Sequence, residues 1–186
     1  MQLVGSQNTD GRRILNNGAI VLRPPRAGDA EARFLLGQDP TIIRLSGKDP
    51  ATLPPWSREA ASAWSAEIQH HPNAWIIEYD GHLAGSIRLN NLNLVDQKAR
   101  LSIGLSNHQQ LGRGIGRGAI SALLDHAFGT LGLHRIYLRV IEYNTRALRC
   151  YESCGFRQEG IEREAARIAG HWHDEILMAK LAQDHR

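Results

Sequence analysis

The 186-residue chain predicts a single α+β domain built on a mixed, mostly antiparallel sheet. Three observations lead there. "AWIIEY" and "HLAGSIRL" are apolar runs joined by Asp80-Gly81, a strong hairpin signal, and "KARLSIGL" (98–105) extends them into a meander. Beyond residue 110, helical spacing alternates with β-branched runs, giving the order strand–helix–strand–helix–strand. The chain then closes on two strands turning near Gly170.

In chain order, residues 1–17 read as a polar arm and 18–184 as the domain. "AIVLRPP" (19–25) is a strand stopped by two prolines, followed by "AGDAEARFLLGQ" as a short helix. Residues 46–57 form a loop rich in turn formers. "SREAASAWSAEIQHH" is a helix with Ser57 as its N-cap. Ile120, Leu123, Leu124, Ala127 and Leu131 mark the buried stripe of another helix, and "HRIYLRVI" (134–141) is an alternating strand. "NTRALRCYESC" is a helix capped by Asn144 and ended by Gly155.

Composition excludes several classes of function. Hydrophobic residues make up 42% and charged residues 22%, ordinary for a globular protein. No apolar run is long enough to span a membrane, and the N-terminus lacks the basic-then-apolar order of a secretory signal. A cytoplasmic protein with no membrane partner is expected. The net charge is +3, and arginines are spread along the chain instead of clustering with aromatics, so no nucleic-acid partner is expected. Cys150 and Cys154, four apart on a helix, are poorly placed for a disulfide and read as free thiols. His171 and His173 share one face of a strand without an evident third ligand, so no metal is expected.

Chemistry is concentrated in "HQQLGRGIGRGAISALL" (108–124), where Gly112, Gly114, Gly116 and Gly118 alternate before an apolar helix. Glycine inside a helix costs about 1 kcal/mol, so a bare backbone there must be useful. Unpaired amides at a helix N-terminus suit a phosphate, and Arg113 and Arg117 add positive charge. A P-loop is rejected because no lysine stands nearby. Gly114-x-Gly116-x-x-Ala119, with Glu142 ending the next strand, allows a dinucleotide-binding oxidoreductase. Too little chain follows Glu142 to finish a doubly wound sheet.

The second motif is "NTRALRCYESCGF" (144–156). With "LGRGIG" and the strand between them, it resembles the GNAT superfamily of acetyl-CoA-dependent N-acetyltransferases, in the branch of ribosomal-protein N-terminal acetyltransferases. The resemblance implies a mostly antiparallel, seven-stranded mixed sheet with a splayed central parallel pair and about four flanking helices. It implies that freed backbone at Ile103, Gly104 and Leu105 pairs with pantetheine. The amides from Leu111 and Gly112 through Arg113, Gly114, Ile115 and Gly116 to Arg117 would hold the pyrophosphate. Asn144 would reach the pantetheine arm, and Tyr151 would protonate the departing thiolate. Acetyl-CoA is then the co-substrate, a primary amine the acceptor, and a homodimer a common assembly.

The chain departs from that pattern at three positions. Leu111 stands where many members carry Gln or Arg. Arg100 and Arg139 stand where members carry a glutamate that serves as base. The base is left among Glu78, Glu142, His134 and Asp174, and a catalytically inactive acyl-CoA-binding module is the alternative reading. The acceptor is not legible: a protein N-terminus, an aminoglycoside, an amino sugar or a polyamine all fit, although no acidic cluster for a polycation is visible along the sequence.

Overall fold

The computed structural model describes residues 12–185. They form one sheet whose spatial order is β1 (Leu15–Asn17), β2 (Ile20–Arg23), β3 (Ala74–Tyr79), β4 (His82–Asn93), β5 (Lys98–Leu105), β6 (Arg135–Ile141), β8 (His171–Leu181) and β7 (Arg157–Ile168). All neighbours are antiparallel except β5 and β6. Asp80 and Gly81 take φ of 49° and 78°, the left-handed pair that a two-residue hairpin turn requires.

The sheet has eight strands among the described residues, one more than the expected seven. The extra strand, β1, comes from the segment read as a polar arm; its three residues pair with β2 across the turn at Gly18. Residues 1–11 of that segment lie outside the described residues. Arg12 is buried, and its guanidinium donates to the carbonyls of Ile68 at 2.8 Å, Gln69 at 3.0 Å and Ala74 at 2.8 Å. It thus satisfies the carbonyls left open where the third helix ends.

Among the described residues five α-helices flank the sheet: α1 (Asp29–Leu35), α2 (Pro40–Leu45), α3 (Arg58–His70), α4 (Ile115–Asp125) and α5 (Thr145–Ser153). Four were legible in the sequence. The fifth, α2, is six residues long and carries its own start signal: Asp39 accepts from the Thr41 and Ile42 amides, and Pro40 occupies the first turn. Ser57 caps α3 as expected, accepting from the Ala60 amide at 3.2 Å.

The main core lies between α4 and the sheet. Ile120, Leu123, Leu124 and Ala127 of the helical stripe are buried there with Leu22, Trp75, Ile87, Leu101, Ile136 and Leu138. A smaller cluster of Ile68, Ala74, Ile76 and Leu83, with Ala32, Leu36 and Trp64 packed against it, fastens α1 and α3 to the other face. α4 rests directly on β2 at Gly118, where an added Cβ would stand 2.2 Å from the Ile20 Cδ1. This glycine is therefore a packing residue. Within the described residues no helix is long and apolar enough to cross a membrane.

Candidate active site

The site begins where the one parallel pair comes apart. β5 and β6 are in register only at Lys98–Arg100 with Arg135–Tyr137. Beyond that, β6 continues with β8, while Leu101–Leu105 stay paired to β4 alone. The β6-facing backbone of Ile103, Gly104 and Leu105 is thus released from the ladder. Gly85 lets β4 keep close to β5 along this stretch, since a Cβ there would stand 2.1 Å from the Gly104 carbonyl oxygen. An extended amide-bearing ligand laid in this gap finds unpaired strand edges, which is how a peptide-like arm adds to a sheet.

The glycine stretch follows directly. Gly112 and Gly114 have φ of 82° and 78°, and Gly114 is the N-cap of α4 without any side-chain cap. A Cβ on Gly114 would meet no protein atom, so the first-turn amides stay open to a ligand. Gly116 lies against α5, its would-be Cβ 3.6 Å from the Cys150 sulfur. The four glycines therefore serve three purposes: backbone conformation at 112 and 114, contact with α5 at 116, and contact with β2 at 118.

Splay, glycine turn and α5 enclose one cavity of about 380 Å³. Ile103, Gly104, Leu105, Leu111, Gly112, Gly114, Ile115, Gly116, Arg117, Asn144 and Tyr151 all line it; of the expected residues only Arg113 does not. Arg146, Arg149, Cys150 and Ser153 of α5 line it too, as do Ile42, Leu45 and Ser46 of α2 and its end. These were missed in the sequence. Arg146 and Arg149 flank the turn on a helix whose inner face was assigned by Ala147, Leu148 and Tyr151, and α2 was read as loop. The Arg146 Nη1 lies 3.4 Å from the Cβ position of Gly112, so the cation sits on the turn itself. With Arg117 and Arg149 it gives this end of the cavity a field suited to an anion.

Asn144 uses both ends of its amide within the protein. Its oxygen accepts from the Ala147 N–H at 3.1 Å, capping α5, and its nitrogen donates to the Leu45 carbonyl at 2.8 Å. Beside it the Tyr143 hydroxyl donates to the Arg44 carbonyl at 2.7 Å. The other end of α2 is held by Asp39, whose carboxylate accepts from the His108 amide and meets His108 Nδ1, both at 2.6 Å. Burial pushes the Asp39 carboxyl up, but the bonds from His108, Ile42 and Thr41 outweigh it and hold it below its ordinary value. α2 is thereby fastened over the cavity at both ends.

Tyr151 is buried on α5, edge-on to Phe156 with ring centroids 5.9 Å apart. Burial, reinforced by the neighbouring Cys150 and Cys154 thiols, pushes its phenol above the ordinary tyrosine value. It stays a proton donor at any physiological pH. Both cysteines are free. Cys150 is pushed up by its contact with Cys154 and by burial, so the thiol on the cavity wall is held protonated and is a poor nucleophile.

The GNAT acetyltransferase domain model matches residues 19–157, a span that contains every element of this cavity. The chain is a GNAT acetyltransferase. It is 37% identical over 160 residues to the spermidine N(1)-acetyltransferase of Vibrio cholerae, covering 85% of this chain and 90% of that one. To the N-alpha-acetyltransferase RimI of Mycobacterium tuberculosis it is 31% identical over 145 residues, covering 78% and 79%. The crystal structure of the Vibrio cholerae spermidine N-acetyltransferase with CoA and spermine superposes with a TM-score of 0.75 at 27% identity, covering 91% of this chain and 99% of that one. The GNAT acetyltransferase uses acetyl-CoA, which sets aside the dinucleotide oxidoreductase.

Its cavity fits that co-substrate. The unpaired strand edge would take the amide-bearing arm, and the open helix-start amides with three guanidinium groups would take the diphosphate. Among the described residues no group of three or more His, Cys, Asp or Glu is placed to hold a metal ion.

The candidate bases separate by position. Glu78 is tied to Arg23 at 2.5 Å and to Arg26 at 3.4 Å, away from the cavity wall. His134 precedes β6 at the end opposite the splay, so the length of the strand, roughly 20 Å, separates it from the gap. The Asp174 carboxylate accepts the Glu164 amide at 2.8 Å. Glu142 remains, paired with His173 at 2.7 Å. Arg139 is neutralised by Glu162 at 2.8 Å and Glu175 at 3.7 Å, and the Arg100 Nε is buried without a hydrogen bond among the described residues.

Proposed function

We propose that this acetyltransferase moves the acetyl group to a primary amine by direct attack in a ternary complex. The observation that carries the reading is the meeting of three features in one cavity: the strand edge at Ile103–Leu105, the open amides from Gly112 to Arg117, and Tyr151. Acetyl-CoA supplies an activated thioester. The Gly112–Arg117 amides and the flanking guanidiniums of Arg117, Arg146 and Arg149 would hold the diphosphate, and the β5 edge would align the pantetheine. Tyr151, kept protonated by burial, would donate to sulfur as the C–S bond breaks. Asn144 supports the same wall by fixing α2 to α5. No acetylated enzyme is needed, in keeping with the protonated state of Cys150.

A polyamine is the acceptor this reading favours. The likeness to spermidine N-acetyltransferases supports it.

The experiment is coenzyme A release with a panel of spermidine, spermine, an aminoglycoside and a peptide beginning with serine. Turnover with spermidine or spermine and not with the peptide supports the reading. Tight acetyl-CoA binding with no acetylated amine in the panel would favour the inactive binding module.

A further inference from the structure

The coenzyme cavity is walled without a single carboxylate or imidazole, yet an ammonium group must lose a proton before it attacks. The geometry points to the Glu142–His173 pair as the group that takes this proton, His173 accepting it at Nε2 and Glu142 positioning the ring; this rests on the transferase reading above.

Local structure builds the pair. β6 ends at Ile141, opposite Glu175 of β8, and the next amide, that of Glu142, donates to the Asp174 carbonyl at 3.1 Å. The Glu142 side chain thus lies along β8, where its Oε1 meets His173 Nδ1 at 2.7 Å. An ionised carboxylate only accepts, so Nδ1 carries the ring proton and Nε2 is left as the acceptor. The Tyr143 ring meets the imidazole edge-on at 5.1 Å, and its hydroxyl is held by the Arg44 carbonyl. The imidazole is fixed from both sides.

Position supports the role. A Cβ on Gly47 would stand 3.9 Å from the Ile141 and Ile168 side chains, and Gly47 lines a second cavity of about 500 Å³ with Lys48, Asp49, Arg167 and Gly170. Its neighbour Ser46 lines the coenzyme cavity. Asn144, two residues beyond Glu142, lines the coenzyme cavity as well, so the strand end that carries Glu142 lies beside that cavity. β7 bulges at this place: Glu162 and Ala166 pair with Glu175 and His173, so three β7 residues face Asp174 alone, and Glu164 takes a φ of 52°. Bulges that re-aim a strand beside a reactive group are a recurring device. The other Oε of Glu142 is buried with no partner among the described residues, so the carboxylate is not spent on a structural network.

The proton balance closes. The ammonium gives one proton to His173 Nε2, which releases it to solvent; the amine nitrogen then bonds the acetyl carbon and gives its second proton to the same Nε2, the C–S bond breaks, and sulfur takes the Tyr151 proton. His173 returns its proton to solvent and Tyr151 recovers one. The charged and titratable groups around the imidazole are Glu142 and Tyr143 after β6, Asp174 and Glu175 on β8, Glu162 and Glu164 on β7, Arg139 of β6 paired with Glu162 and Glu175, and Arg44 on α2.

The test is kcat against pH for the wild-type enzyme, His173→Gln and Glu142→Gln, with spermidine as acceptor and acetyl-CoA affinity measured by calorimetry as a control of folding. With the base present, kcat is larger near neutral pH, and the wild-type and variant profiles converge as the free amine accumulates. Without it, only the free amine reacts, so His173→Gln is slower by about 10²-fold at pH 7. Its deficit then shrinks about tenfold per pH unit toward the amine's own pKa. Glu142→Gln lowers kcat in the same pH-dependent manner, and acetyl-CoA affinity stays within a few-fold. A deficit equal at every pH, or none, overturns the inference while leaving the transferase reading standing. A wild-type enzyme that acetylates no spermidine overturns the pairing of this base with a polyamine acceptor.

Discussion

Asn144 donates to the Leu45 carbonyl at 2.8 Å while accepting from the Ala147 amide at 3.1 Å, so one side chain caps α5 and anchors α2. The two tasks can be separated. Asn144→Ala loses both and is expected to cost about 1–2 kcal/mol of stability. Asn144→Asp keeps the cap but sets a carboxylate against a carbonyl. It should retain most of the thermal stability while acetyl-CoA binding weakens about tenfold, as measured by calorimetry. Equal acetyl-CoA affinity in Asn144→Asp and wild type would show that α2 is not held by this contact.

Tyr151→Phe removes one oxygen from a buried ring and leaves the packing on Phe156 intact. Steady-state kinetics should show kcat down by about 10²-fold with little change in acetyl-CoA affinity. Because burial raises the phenol, the wild-type profile should show no loss of activity from Tyr151 ionising below pH 10.

Gly114→Ala places a Cβ on a residue with φ of 78° at the start of α4. The strain is about 1 kcal/mol, and the new methyl stands where a phosphate would approach. Coenzyme A should bind at least tenfold more weakly, whereas Gly118→Ala, which meets only the Ile20 side chain and Asn17, should change stability without that loss.

Asp39 gives a signed pH prediction. Its carboxyl is held below the ordinary value, so its contribution is present above about pH 4 and disappears as pH falls through the lower folded value. The Tm difference between wild type and Asp39→Asn should be largest near neutrality and vanish in acid. A difference that does not change with pH would contradict the bonding seen at His108.

Arg12→Ala should be the most destabilising change outside the sheet, about 2–4 kcal/mol by denaturant unfolding. It leaves several carbonyls at the end of α3 without their charged donor. Wild-type stability in this variant would contradict the buried placement of Arg12.

Much of this molecule was legible in the sequence because local signals agreed with the final packing. Asp80-Gly81 and Ser57 took the predicted form, as did the α4 stripe through Ile120, Leu123 and Leu124. α4 itself ends at Asp125, a π-helical turn over His126–Thr130 carries Ala127 into the core, and Leu131 is only partly buried. The glycine turn, Asn144 and Tyr151 fell into one cavity because both motifs lie at strand–helix junctions flanking the splay. What stayed hidden depended on register. β1 is three residues of ordinary polarity whose partner is fixed only by the turn at Gly18. α2 is too short for periodicity to reveal, although Asp39-Pro40 announced its start. Glu142 and His173 are thirty-one residues apart and meet only because β6 pairs with β8. Arg113 was counted with its glycine neighbours, but a left-handed turn sends it away from the cavity.

The most direct measurement is a crystal structure with coenzyme A bound. Diphosphate oxygens should lie within about 3.2 Å of amides between Leu111 and Arg117, with the thiol beside the Tyr151 hydroxyl. A diphosphate held elsewhere, with these amides untouched, would contradict the central claim.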